Sequence, residues 1–311
     1  MIADFSVLAL GLAVLVGGAS ALVRGGSSLA LRLGLSRLVV GLTVVAFGTS
    51  APELVVSVDA ALRGAGGIAI GNVVGSNIAN VALILGVGAL IRPVLSNRQL
   101  LIRDVPFLIA VTIMVCVMLL DNRIGLGEGM ILCAVMVGYL GYTVAKAKST
   151  GSPGAEAPEL PVDSLALAAA LTIGGLLALV LGSNLFVSSA VALAAAWGMP
   201  DALIGLTIVA VGTSLPELAT TIAAALKGES DIAIGNVIGS NLFNLFAILG
   251  IAAMVRPLHA PGLSQLDLMV MFGLTLALVP LLYTNSRVSR PEGALLLSAY
   301  AGFIVFRILS L

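Results

Sequence analysis

Apolar residues fill this chain in long blocks, separated by short clusters of charged residues, glycine and proline. The blocks run to about 20 residues, the length an α-helix needs to cross the roughly 30 Å hydrocarbon core of a bilayer. Dividing the chain at the clusters predicts ten membrane-spanning helices. Five cover Phe5 to Leu31, Leu38 to Leu62, Ile68 to Ile91, Val105 to Leu120 and Ile124 to Ala145. Five more cover Leu165 to Ala196, Ala202 to Leu226, Ile232 to Val255, Leu266 to Leu282 and Gly293 to Leu309. The first and sixth are long enough to require strong tilt or a bend. Between the two groups, KAKSTGSPGAEAPELPVD reads as a polar cytoplasmic linker over 146–163, far too short for a folded regulatory domain.

Composition narrows the class. The chain is 59% hydrophobic and 10% charged, where a soluble domain carries about 25% charged residues. Its mean hydropathy is +1.17. Formal charge is zero and no basic run suggests nucleic acid. The N-terminal MIADF lacks a basic n-region, so the first block is expected to remain as a helix. Cys116 and Cys133 lie inside apolar blocks and read as small buried hydrophobes.

Orientation follows from the basic residues. With the N-terminus on one side, that side holds Arg63, Arg123, Arg256 and Arg307, and the other side holds the remaining 11 of 15 Lys and Arg. The richer side is expected to be cytoplasmic, which places both termini outside a cell (inner) membrane.

The chain also repeats. An offset of 164 aligns Gly41–Pro93 with Gly205–Pro257 without a gap, and 31 of the 53 pairs are identical. GLTVVAFGTSAPEL matches GLTIVAVGTSLPEL, and IAIGNVVGSNIANVALILG matches IAIGNVIGSNLFNLFAILG. Each half, 1–145 and 164–311, holds five predicted spans. Because five is odd, the second copy must cross the membrane in the opposite sense. The expected fold class is therefore an all-α membrane protein with ten transmembrane helices in two inverted-topology five-helix repeats.

The repeated segments carry the chemistry. Glu53 and Glu217 fall near the middle of their spans, with no Lys or Arg within a helical turn. A carboxylate at that depth costs at least about 2.5–3.5 kcal/mol, and a bound cation is the simplest compensation. Pro52 and Pro216 lack an N–H, which frees the carbonyls of Gly48 and Gly212 to line a cavity. Thr49 and Thr213 lie one turn before each glutamate, on the same face. In the third and eighth spans, Asn72, Ser76 and Asn80, and Asn236, Ser240 and Asn244, form polar stripes at spacings of four. They could supply cation ligands or hydrogen bonds between helices. Oxygen donors of these kinds suit hard cations such as Ca²⁺ and Na⁺. The single histidine, His259, lies in a loop away from the motifs. Asp59 reads as a surface partner of Arg63 at i+4, and Arg24 and Arg307 as residues that snorkel.

GTSAPEL and GTSLPEL, followed by GSNIAN and GSNLFN, resemble the two alpha-repeats of the sodium/calcium exchanger family, in the prokaryotic form without a regulatory domain. The resemblance implies a calcium site formed by the carboxylates of Glu53 and Glu217 with carbonyl oxygens of Thr49 and Thr213. It implies sodium sites that add Ser76 and Ser240 and the backbone oxygens of Ala46 and Ala210. Ser50, Ser214, Asn80 and Asn244 would stand beside them. Some relatives carry an acid where this chain has Asn80 or Asn244, so potassium dependence is not expected. The implied activity is Na⁺/Ca²⁺ antiport by alternating access, with Ca²⁺ and Na⁺ as substrates, no cofactor and no enzymatic step. The alternatives are an H⁺-coupled Ca²⁺/cation antiporter and, less favoured, a cation channel. Nothing in the sequence bears on oligomeric state.

Overall fold

A computed structural model describes residues 2–96, 98–149, 162, 164–198, 210–261, 263–283 and 286–309. The chain is almost entirely helical. Helix α1 spans Ile2–Arg32. The second expected span is broken into α2 (Arg37–Thr49) and α3 (Ala51–Leu62), bent by 46°. Then follow α4 (Gly66–Ile91) and α5 (Leu100–Asp121), α6 (Leu126–Ser149) and α7 (Leu165–Ala196). The seventh expected span is described from Ala210 onward, as α8 (Ala210–Thr213) and α9 (Leu215–Lys227). Helices α10 (Ser230–Val255), α11 (Gln265–Tyr283) and α12 (Arg290–Leu309) complete the chain. Among the described residues, eight helices are long and apolar enough to cross a membrane, and the bent α2–α3 pair makes nine. Residues 202–209 and most of the linker lie outside the described residues. Helix α6 runs on to Ser149, so the first residues assigned to the linker are helix.

Local chemistry explains the breaks. Ser50 has φ −84°, ψ 9° and Ser214 has φ −88°, ψ 8°, and neither continues a helix. The prolines that follow fall in the first turn of α3 and α9, where a missing N–H costs nothing. Arg92 and Arg256, each before a proline, are extended and end α4 and α10. Within those two helices a wide π-helical turn occupies Asn80–Ile84 and, 164 residues later, Asn244–Ile248. Such turns expose backbone and re-aim side chains.

Contacts come in pairs that survive exchange of the halves. Two-residue strands β1 (Val94–Leu95), β2 (Arg123–Ile124), β3 (Leu258–His259) and β4 (Arg287–Val288) pair as β1 with β4 and β2 with β3. Helices α1 and α7 cross on glycine. A Cβ on Gly18 would lie 3.0 Å from the Gly175 carbonyl, and one on Gly182 would lie 2.9 Å from the Gly11 carbonyl. Gly86 meets Gly293 and Gly129 meets Gly250 in the same manner. Both α1 and α7 are continuous, and at about 1.5 Å per residue each is longer than the hydrocarbon thickness.

Helices α4 and α10 form the centre, with 72% and 89% of their apolar windows buried, against 11% for α12. Gly239 of α10 packs so tightly that a Cβ would stand 2.6 Å from the Leu42 carbonyl and 2.7 Å from the Ala46 Cβ. Its repeat partner Gly75 has nothing within 4 Å because it borders a cavity. Gly239→Val should therefore destabilise the fold by about 1–3 kcal/mol, while Gly75→Val should stay within about 0.5 kcal/mol. Thermal unfolding of the purified variants in detergent checks this, and equal losses at both positions would contradict the packing.

Candidate ion-binding site

The two helix breaks and the π-helical turns of α4 and α10 meet at the centre of the molecule. Glu53 and Glu217 stand in the first turns of α3 and α9, each 1% exposed. A helix N-terminus favours a carboxylate. The serine at each break serves the other half: Ser50 Oγ donates to Glu217 Oε1 at 2.7 Å, and Ser214 Oγ donates to Glu53 Oε1 at 3.0 Å. The hydroxyl of Thr213 also faces Glu53, and those of Thr49 and Ser240 face Glu217. Among the described residues no Lys or Arg pairs with either glutamate.

The asparagines divide into two roles. Asn72 Nδ2 donates to the Glu53 carbonyl at 3.2 Å and to Ser57 Oγ at 2.9 Å. Asn236 Nδ2 repeats this with the Glu217 carbonyl at 3.3 Å and Thr221 Oγ1 at 3.2 Å, and its Oδ1 accepts from Thr49 Oγ1 at 3.1 Å. These two residues tie helices together, the second of the two roles open to the polar stripes. Asn80 and Asn244 open the π-helical turns and differ. Asn80 Nδ2 donates to Asn241 Oδ1 at 2.9 Å, which leaves Asn80 Oδ1 without a hydrogen bond among the described residues. Asn244 Oδ1, Ser240 Oγ and Oε2 of both glutamates are likewise buried and unbonded. Ser76 Oγ lies 3.5 Å from Ser214 Oγ, beside Glu53.

Several expected positions are modified by the structure. The Gly212 carbonyl accepts from Ser183 Oγ of α7 at 2.8 Å. The Ala46 carbonyl accepts the Ser50 N–H at 3.0 Å and lies 3.3 Å from Thr49 Oγ1. Ala210 opens α8, and its side chain lies outside the described residues. Asp59 binds Arg63 at 2.7 Å as expected. Arg307 does not merely snorkel, because it pairs with Asp267 at 3.5 Å. Cys116 and Cys133 are half-buried free thiols. Asn241 and Ser183 join the buried polar network, and Asn77 is buried but bonds only the Val73 carbonyl of its own helix, although no four-residue stripe contains any of the three. The repeat itself marks the two asparagines, since GSN recurs at the 164 offset.

A cavity of about 360 Å³ borders the site at Asn72, Ser76 and Thr213 and continues along α4 to the ends of α11 and α12. Among the described residues no group of three or more His, Cys, Asp or Glu gathers, so two carboxylates carry the site's charge. Buried oxygens lacking donors, around two acids without a basic partner, fit a hard cation.

The sodium/calcium exchanger protein model matches residues 4–145 and 167–309. The chain belongs to this family. It is 34% identical to the sodium/calcium exchanger MaX1 of Methanosarcina acetivorans, over 97% of each chain. It is 37% identical to the inner membrane protein YrbG of Escherichia coli, over 83% of this chain and 81% of that one. The solved structure of the sodium-calcium exchanger NCX_Mj superposes with a TM-score of 0.87 at 32% identity, covering 98% of both chains. The chain is accordingly an integral membrane cation/Ca²⁺ antiporter, of a family of exchangers and not of enzymes.

Ser50→Ala and Ser214→Ala each remove the donor to a buried carboxylate. Each should destabilise the ion-free protein by about 1.5–3 kcal/mol. Ser298→Ala, which loses an exposed hydroxyl bonded to its own helix at Ala294, should change stability by less than about 0.5 kcal/mol. Unfolding midpoints in chelator-treated detergent solution check the ranking.

Proposed function

We propose that this chain exchanges Na⁺ for Ca²⁺ by alternating access at a site centred on Glu53 and Glu217. The observation that carries the proposal is the set of buried oxygens that, among the described residues, lack donors around two carboxylates with no basic partner. Two negative charges match one Ca²⁺ or about two Na⁺, so the two ions compete for the same acids. A site that reorients only when neutralised then couples their movements.

In this reading Glu53 and Glu217, with the carbonyls of Thr49 and Thr213, hold Ca²⁺. Ser76 and Ser240, with the backbone oxygens of Ala46 and Ala210, extend the set for Na⁺. Asn80 and Asn244 present amide oxygens from the π-helical turns, and Ser50 and Ser214 orient the carboxylates. No cofactor takes part.

The paired contacts that survive exchange of the halves support a fold of ten helices in two inverted five-helix units, 1–145 and 164–311. They also support the charge assignment to faces. Arg256 packs on Gly64 and Arg123 pairs with His259, whereas Arg92 packs on Gly228 and Arg287 pairs with Leu95. The face with fewer basic residues would be external, with both termini outside a cell membrane.

Uptake of ⁴⁵Ca²⁺ into Na⁺-loaded proteoliposomes, compared with choline-loaded ones, tests the proposal. Uptake should require the outward Na⁺ gradient and fall to background in Glu53→Gln and Glu217→Gln. Uptake indifferent to Na⁺ but driven by a pH gradient would replace this reading with H⁺-coupled antiport.

A further inference from the structure

The cavity that borders Ser76 and Thr213 is lined mostly by apolar side chains and glycine, and only two of its lining residues are charged. They are Asp267, in the first turn of α11, and Arg307, in the last turn of α12. Both stand where the cavity reaches the helix ends, on the face that carries the fewer basic residues. Asp267 is 9% exposed. A carboxylate buried to that degree normally holds its partner closely. This one does not: Arg307 Nε stands 3.5 Å from Asp267 Oδ1, and that oxygen makes no hydrogen bond among the described residues.

The other half shows what a structural pair looks like. Asp104 is fully buried and bound by Arg103 Nε at 2.8 Å, by the Tyr139 hydroxyl at 3.2 Å and by Gln99 Nε2 at 3.4 Å. At the 164 offset, Arg103 occupies the place of Asp267 and Thr143 that of Arg307. The loose pair therefore exists in one half only.

We propose that Asp267 is an accessory cation-docking site at the mouth of this approach, with Arg307 as a tethered cation that an arriving Ca²⁺ or Na⁺ displaces. The guanidinium holds the carboxylate's place at 3.5 Å without satisfying it, and its side chain, 30% exposed, has room to swing away. A cation bound there sits at the end of a cavity that leads to Ser76 and, through Ser214, to Glu53. A focused negative charge at a low-dielectric mouth raises the local cation concentration and the rate of encounter. The inference rests on the antiport reading of the central site.

The two charges predict opposite effects. In oriented vesicles at low ionic strength, Asp267→Asn should raise the half-saturating Ca²⁺ on the Asp267 face by about three- to tenfold, and Arg307→Gln should lower it. Both shifts should shrink at 1 M salt, and neither should appear for ions supplied from the opposite face. Shifts of the same sign, or none, would overturn the proposal, because a merely structural pair loses the same stability from either end.

A second measurement is independent of transport. Tyr300 lines the same cavity and can sensitise Tb³⁺ bound at Asp267. In the Glu53→Gln/Glu217→Gln variant, tyrosine-sensitised Tb³⁺ luminescence should persist, and it should disappear when Asp267→Asn or Tyr300→Phe is added. Luminescence unchanged by Asp267→Asn would sink the docking site even if exchange is confirmed. Failure of the wild type to exchange would remove the antiport reading and leave the Tb³⁺ result to decide this one.

Discussion

Two carboxylates share a buried core in which, among the described residues, no basic side chain pairs with them, and most of the architecture answers to that constraint. Each acid is placed at the start of a helix, which is possible in mid-membrane only because the span is broken at Ser50 or Ser214. Each acid then takes its hydroxyl donor from the opposite half. The serine of each break thus serves the glutamate of the other half of the chain, and the site is built where the two halves meet.

Short side chains can make these bonds only if backbones come close. A serine or threonine hydroxyl reaches little beyond its own Cβ, so the helices that carry the ligands must nearly touch. Glycine at 239 permits this, since α10 rests directly on the Leu42 carbonyl and the Ala46 Cβ. That contact brings Asn236 within 3.1 Å of Thr49. The long helices follow the same rule at Gly11, Gly18, Gly175 and Gly182. In hydrocarbon, where apolar surface gains nothing by leaving lipid, close packing and interhelical hydrogen bonds supply the cohesion that water supplies elsewhere.

The repeat was legible in the sequence because both copies lie in one chain, and the buried acids because charge in an apolar block is conspicuous. The helices of the spans were legible for the same reason. What stands opposite what was not: an offset of 164 equates Ser50 with Ser214 but says nothing of Ser50 reaching Glu217. The carbonyl freed by Pro216 was foreseen, yet Ser183 claims it, and Ser183 has Ala19 as its repeat partner. The π-helical turns left no trace in the hydrophobic pattern, since one extra residue in a turn barely shifts a helical stripe. Asp267 and Arg307, 40 residues apart and absent from the other half, had no motif to announce them.

Departures from the repeat carry their own meaning. Under alternating access, exchanging the halves turns a state open to one face into the state open to the other. Identical halves would make the two equally stable, so only residues that differ can set a preference. At one end of α1, Lys227 Nζ donates to the Ser20 carbonyl at 2.7 Å and to its hydroxyl at 2.8 Å. Glu229 accepts from Ser27 at 3.3 Å and from Arg37 at 2.8 Å. The matching positions are Arg63, Asn184, Ala65 and Val191, and Asp201, the counterpart of Arg37, lies outside the described residues. Arg63 turns to Asp59 of its own helix, and an alanine and a valine offer no side-chain bond. Each polar contact of this kind contributes about 0.5–1.5 kcal/mol, and about 1.4 kcal/mol is a factor of ten in population. A few such contacts at α1, unmatched at α7 among the described residues, are enough under the proposed alternating access to favour one state over the other.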